Sequence, residues 1–129
     1  MRLLLDTHAF VWWLLDDRRL SSAVRSAIED ADAEVFVSVI TGFELATKVR
    51  LGKFEAARDL AERYEEMIEV ARFAPLPISQ RHALVAGRMA GEHRDPFDRI
   101  LAAQAHVENL FLATIDPEFF RHFASKTIW

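Results

Sequence analysis

The sequence predicts an α/β domain built around a short, mainly parallel sheet. Short apolar segments of strand length alternate along the chain with longer segments of helical periodicity. The first strand is apolar at consecutive positions, which is typical of a strand covered on both faces. In such a sheet the carboxyl ends of the strands and the amino ends of the helices share one edge, where ligands usually bind.

The chain opens with a strand at residues 1–6, which ends on Asp6. The next segment, AFVWWLL, is predicted to be helical but has no clear polar face, so part of it should contact something other than solvent. Apolar residues then recur at helical spacing behind Ser21 and Ser22, either of which can cap a helix. These features predict one strand followed by two helices.

The middle of the chain continues the alternation. EVFVS at residues 34–38 is predicted as the second strand, and the next helix as running from Thr41 to about Arg50, with Gly52 as its stop. Residues 55–72 carry the clearest amphipathic pattern and are predicted as one helix.

The last third of the chain supplies the remaining elements. RFAPLPIS provides only a short third strand, because its prolines cannot donate to a ladder. Ser79 can cap a helix that runs to about Ala90, and a further helix starts at Pro96. Residues 110–114 give a fourth short strand, and Asp116 before a proline resembles another helix cap.

Composition sets the broad class. The 129 residues are 51% hydrophobic and 28% charged, which predicts one globular domain over residues 1–129 without a linker. The absence of cysteine excludes a disulfide framework, a thiolate nucleophile and a cysteine zinc site. No apolar run approaches a membrane span and no signal peptide is recognisable, so we expect a cytoplasmic protein.

The net charge of -4 argues against nucleic-acid binding by bulk electrostatics, but it is compatible with a carboxylate cluster around a divalent cation.

Acidic residues map to the ligand-binding edge of the predicted sheet. They are Asp6, Glu44, Asp98 and Asp116. Each has an ordinary alternative role: Asp95 and Asp98 can form a capping box, as can Thr41 and Glu44, and Glu44 with Lys48 makes a favourable i,i+4 pair contributing about 0.3 to 0.5 kcal/mol. Four carboxylates at one edge would repel one another, however, and would require a cation or raised pKa values. Their convergence therefore favours a functional site.

Four sequence blocks resemble those of PIN-domain ribonucleases, and above all those of VapC-type toxins. The blocks are LLLDTH at residues 3–8, FELATKVRLGK at 43–53, HRDPFDRILAAQA at 93–105 and ATIDPEF at 113–119. The resemblance implies a PIN-like three-layer α/β/α fold and Mg²⁺- or Mn²⁺-dependent endoribonuclease activity. It also implies a homodimer controlled by a cognate VapB-like antitoxin. Gly42 and Phe43 depart from the pattern, since many relatives have a bulkier residue and Trp there, and this departure concerns local packing.

Matched position by position, the family pattern assigns the catalytic and metal-binding acids. These are Asp6, Glu44, Asp98 and Asp116. Asp95 matches less well. Thr7 and Thr114 stand beside or near two of these acids, where a hydroxyl either binds a metal water or fixes a carboxylate, or else caps a helix or ends a strand.

The remaining polar residues are less specific. The histidines show no tight spacing for zinc and are expected on the surface or behind the acids: His8, His82, His93, His106 and His122. Basic residues flank the acidic blocks, where they either guide the RNA backbone or are ordinary surface charge, and none is assigned a catalytic role: Lys48, Lys53, Arg94 and Arg99.

Other functions fit less well. A phosphoaspartate phosphatase resembles the first strand, but His8 stands where such an enzyme has its second Asp, and a Rossmann enzyme would need a Gly-rich turn there. The alternative from another class is a non-catalytic regulatory binding module with a PIN fold.

Residues 10–15, FVWWLL, carry more apolar surface than one side of a short helix needs. They are either core or, as we expect for part of them, an interface with a second copy or an antitoxin helix.

Overall fold

The centre of the molecule is a parallel sheet, seen in a computed structural model that describes residues 1–91, 95–119 and 126–129. Its strands are β1 (Arg2–Leu5), β2 (Glu34–Ser38), β3 (Ala74–Leu76), β4 (Phe111–Ala113) and β5 (Thr127–Ile128). Their order across the sheet is β3-β2-β1-β4-β5. The predicted parallel sheet is confirmed, and the proline-containing β3 lies at an edge, as a strand with a missing donor should.

The strand at the chain's start becomes the middle of the sheet. Leu3 pairs with Val35 on one side and with Phe111 on the other. Leu3, Leu4 and Leu5 are fully buried, which confirms a strand covered on both faces. β5 was not predicted, because two residues are too short to show periodicity.

Helices cover the two faces of this sheet. They are α1 (Thr7–Leu14), α2 (Ser22–Glu29), α3 (Val39–Arg50), α4 (Arg58–Glu62), α5 (Tyr64–Val70), α6 (Gln80–Arg88) and α7 (Pro96–Val107). Leu3 and Leu5 belong to one apolar core, which includes Phe10 of α1. Leu4 points the other way, into a second core with Leu101 of α7. The three-layer α/β/α architecture is thereby confirmed. No helix in the described parts of the chain has the length and apolar character needed to cross a membrane.

The prediction of one helix over residues 55–72 is wrong. The segment is divided into a 3-10 turn, α4 and α5, and the backbone leaves helical geometry at Arg63, with φ -110° and ψ 25°. Leu60 before the bend and Ile68 after it are both buried. The bend thus keeps the apolar stripe on the core, a requirement of tertiary packing that the periodicity alone does not reveal.

Tyr64, the first residue after this bend, explains the unusual Gly42. A Cβ on Gly42 would lie 3.2 Å from ring atoms of Tyr64, so glycine lets the ring pack closely against α3. The same ring meets Phe10 edge-on, with centroids 5.5 Å apart. The departure from the family pattern is therefore accommodated by local packing.

The start of α3 also differs from the prediction. The helix begins at Val39, and its cap is Ser38, whose Oγ accepts from the Ile40 amide at 3.1 Å. Thr41 is buried inside the helix, so the predicted capping box of Thr41 with Glu44 is wrong. Gly52 has φ +70° just after the helix, as expected of a stop.

The apolar run of α1 lies mostly in the core. Phe10 and Val11 are fully buried and Trp12 nearly so, whereas Leu15 just after the helix is 43% exposed. Trp13 is half-buried. The structure assigns residues 10–12 to packing and leaves only the end of the run available to a partner.

Candidate active site

The cleft at the carboxyl edge of the sheet, of about 430 Å³, is lined by acidic side chains. The structure brings all the predicted acids to it: Asp6, Glu44, Asp98 and Asp116. Asp95 also lines the cleft. Residues that are more than 100 positions apart in the sequence, such as Asp6 and Asp116, meet here because β1 and β4 are neighbours in the sheet.

Asp6 is the deepest of these acids. Its backbone amide donates to the Ala113 carbonyl at 3.1 Å, which fixes it at the junction of β1 and β4. Its carboxylate caps α1 by accepting from the Ala9 amide at 2.7 Å. The capping role and the site role therefore coexist in one side chain, because the amino end of α1 opens at the cleft.

Burial raises the pKa of Asp6 from 3.8 to about 6. The negative charges of Glu44 and Asp116 raise it further, while hydrogen bonds with Thr114 and Ala9 act in the opposite direction. A carboxyl group with such a pKa binds a proton more tightly than usual, and it would gain correspondingly from a nearby cation.

Glu44 projects into the cleft from α3 and has a partner on each oxygen. Oε1 accepts from the Thr7 hydroxyl at 2.7 Å, and Oε2 lies 2.6 Å from Lys48 Nζ. The predicted i,i+4 pair is confirmed, but it is not an ordinary surface pair, because the Glu44 side chain is only 11% exposed. Thr7 is the first residue of α1, and its hydroxyl fixes a carboxylate.

The two acids of the DPFD motif have different surroundings. Asp95 is exposed and caps α7, with its Oδ1 2.9 Å from the Phe97 amide, as predicted. Asp98 lies in the first turn of the helix and is half-buried. α7 thereby holds Asp98 in the cleft on a rigid element.

The segment after β4 positions Asp116. The Asp116 amide donates to the Thr114 hydroxyl at 3.1 Å, and Asp116 Oδ1 accepts from the Glu118 amide at 2.9 Å. The Thr114 amide in turn donates to the Ile128 carbonyl at 3.3 Å, so β5 supports this loop. Thr114 therefore forms hydrogen bonds with both Asp6 and Asp116. The sequence indicated only the second of these, because Thr114 and Asp116 are close in the chain.

The histidines occupy varied places. His8 is at the cleft, and burial together with the charge of Lys48 lowers its pKa. His82 is 2% exposed, so a surface position for it is wrong: its Nδ1 accepts from the Ser79 amide and its Nε2 lies 2.8 Å from Glu108. This capping box could not be recognised because the usual Glu or Gln is replaced by His. His106 is exposed, as expected, while His93 and His122 lie outside the described residues.

The basic residues that flank the acidic blocks lie in different surroundings. Arg99 donates to the carbonyls of Ala86 and Met89, which joins α7 to the end of α6. Lys53 is exposed, and Arg94 lies outside the described residues. Lys48 faces the cleft, a position that its spacing from Glu44 signalled.

The cleft has the donor chemistry of a magnesium or manganese site. Carboxylate oxygens are the ligands these ions prefer. Burial is the main cause of the raised pKa of Asp6, and the charges of Glu44 and Asp116 add to it, so a cation in the cleft would stabilise the ionised carboxylate. Within residues 1–91, 95–119 and 126–129, no three acidic or histidine side chains are close enough to ligate one ion in the present arrangement. The residues suit such an ion by their donor chemistry, because Asp6, Glu44, Asp98 and Asp116 all line the same cleft.

Comparison with known proteins agrees with this architecture. The family model for the PIN domain matches residues 3–126. The chain is 32% identical to Ribonuclease VapC22 of Mycobacterium tuberculosis (strain ATCC 25618 / H37Rv) over 128 residues, which is 98% of this chain and 97% of that protein.

Solved structures of similar fold include two VapBC assemblies. VapBC2 from Rickettsia felis bound to a promoter DNA fragment gives a TM-score of 0.71 at 17% identity, covering 99% of this chain and 98% of that one. VapBC-1 from nontypeable Haemophilus influenzae gives a TM-score of 0.69 at 20% identity, and the match covers 99% of this chain and 97% of that one. Together with the family match, the three-layer fold and the acidic cleft lead to one conclusion: this chain belongs to the PIN-domain family.

Proposed function

We propose that this protein is a metal-dependent endoribonuclease that hydrolyses RNA phosphodiester bonds as the toxin of a type II toxin-antitoxin pair. The observation that supports this most is the convergence of carboxylates from the β1–α1 junction, α3, α7 and the loop after β4 on one cleft of a PIN domain. A relative that is named a ribonuclease supports the same reaction class. A non-catalytic binding module is not favoured, since it would have no need of mutually repelling acids.

The proposed ligands of Mg²⁺ or Mn²⁺ are Asp6, Glu44, Asp98 and Asp116. A divalent ion held there would supply Lewis acidity, which is the chemistry that makes a water nucleophilic towards phosphorus and stabilises charge on the leaving oxygen. The protein's part is positioning: the Ala9 amide orients Asp6 and the Thr7 hydroxyl orients Glu44. Thr114 supports the acid that follows β4.

The reaction is tested by metal removal. The purified chain should cleave RNA with Mg²⁺ or Mn²⁺, stop when EDTA is added and resume when excess Mn²⁺ is restored. Gel electrophoresis of a defined RNA with 5′ and 3′ labels separates internal cleavage from trimming at the ends. Cleavage that continues undiminished in EDTA would contradict the proposal. Complete absence of cleavage under every metal condition would instead favour the alternative function, a non-catalytic binding module.

We further propose a cytoplasmic homodimer that a VapB-like antitoxin binds and inhibits. The two solved structures of similar fold described above are VapBC complexes, which supports a partner of this kind. Light scattering should give twice the chain mass of 14.8 kDa, and co-purification with the product of the neighbouring gene should reduce RNA cleavage. A monomer that ignores that product would contradict the partner proposal and leave the nuclease proposal standing.

A further inference from the structure

Lys48 is the one lysine or arginine among the described residues that line the acidic cleft. Its Nζ lies 2.6 Å from Glu44 Oε2, and its side chain is 36% exposed. Glu44 is far less accessible and is held on its other oxygen by Thr7. One of the proposed metal ligands is therefore already paired with a cation that belongs to the chain itself.

We propose that Lys48 is a tethered counter-ion that competes with the divalent metal for Glu44. This inference rests on the proposed metal-dependent function. The Lys48 ammonium group lies 2.6 Å from one oxygen of Glu44, so a divalent ion held by the same carboxylate would be close enough to repel it strongly. Metal binding therefore requires the lysine to leave Glu44.

The surroundings of the pair allow that exchange. Lys48 has a long, flexible stem and partial access to solvent, so its ammonium group can move away from the cleft. Thr7 is buried at the start of α1 and would keep Glu44 oriented after the lysine has left. The hydroxyl thus positions the ligand in both states, and the ammonium group neutralises it only in the metal-free state.

The alternative role for Lys48 predicts the opposite effect. If the lysine held Glu44 in its ligating orientation, removal of the ammonium group would weaken metal binding. Competition instead predicts that removal strengthens it. The sign of the change in affinity therefore separates the two roles without any measurement of RNA cleavage.

The test measures the affinity of the full chain for Mn²⁺ in the absence of RNA. Binding is detected as the loss of the free-Mn²⁺ signal in electron paramagnetic resonance. Lys48→Met keeps an apolar stem and a good helix former while removing the charge. We expect its Kd for Mn²⁺ to fall about tenfold, the scale on which a close opposite charge changes a carboxylate's affinity for a proton. Lys48→Gln should shift the Kd in the same direction.

Lys53→Met is the matched control, because it makes the same change in net charge at an exposed position on the same segment. Its Kd should stay within about twofold of the wild type at physiological salt, where distant charges are screened. In a Glu44→Gln background, Lys48→Met should no longer raise the affinity, since the competed ligand is gone.

The outcomes separate this inference from the proposed function. Mn²⁺ binding by the wild type with equal or weaker binding by both Lys48 variants would overturn competition and leave the metal site intact. An equal gain from Lys53→Met would also overturn it, because the effect would then be general electrostatics. No binding by any variant would overturn both the inference and the proposed metal dependence.

Discussion

Asp6→Asn is expected to abolish most RNA cleavage while making the protein more stable at neutral pH. The asparagine keeps an oxygen for the Ala9 amide, so α1 remains capped. It removes a charge from the cleft, and activity should fall by roughly 10²- to 10³-fold, the scale of losing one group that stabilises transition-state charge. A side chain that we propose for catalysis would thereby lower the stability of the fold that holds it.

The stability gain follows from the raised pKa of Asp6. Because that pKa is about 6 in the folded protein and 3.8 ordinarily, the folded state is favoured by protonation, and stability is lost as the pH rises from 3.8 through 6. At neutral pH the cost of the ionised group is about 2 to 3 kcal/mol, part of which Asn recovers. Urea unfolding in EDTA should therefore show a stabilised variant at about pH 7 and a smaller difference at about pH 4. Equal differences at both pH values would contradict this origin.

Substitutions at Asp98 and Asp95 should affect different properties. Asp98→Asn is expected to remove most metal-dependent cleavage, by roughly 10²-fold or more, with little change in stability. Asp95→Ala removes the cap of α7 and should lower the free energy of unfolding by about 1 kcal/mol while leaving most activity. Cleavage assays and thermal unfolding of the same preparations should rank the two variants in opposite order.

Asp95→Asn is the matched control for this comparison. It makes the same chemical change as Asp98→Asn three residues earlier in the sequence, but Asn is nearly as good a cap as Asp. The control should thus resemble the wild type in both measurements. Should Asp95→Asn lose turnover while Asp98→Asn stays active, the roles of the two acids would be exchanged.

The structural features that depend only on neighbouring residues in the chain could be predicted from the sequence. Consecutive leucines in β1, the Asp95 cap and the stop at Gly52 each express a rule that operates within a few residues. The bend at Arg63 and the two-residue β5 depend on packing or pairing with distant parts of the chain, and neither leaves a periodic signal.

The site shows the same division. The edge on which the acids lie follows from the alternation of strands and helices, so their convergence could be anticipated. Their immediate partners could not, because Thr7 meets Glu44 across 37 positions of sequence. Thr114 reaches Asp6 only because β4 lies against β1.

The central position of β1 has a consequence for the order of folding. Its Leu3 needs both Val35 and Phe111 as neighbours, and the second pairing closes almost the entire chain into a loop. Contacts so distant in sequence slow folding, because the entropy of loop closure is lost before the pairing compensates for it. Until β4 docks, Asp6 and Asp116 remain apart. We therefore expect the acidic cleft to be completed late in folding, and partly folded chains that lack the β1–β4 pairing have no complete cleft.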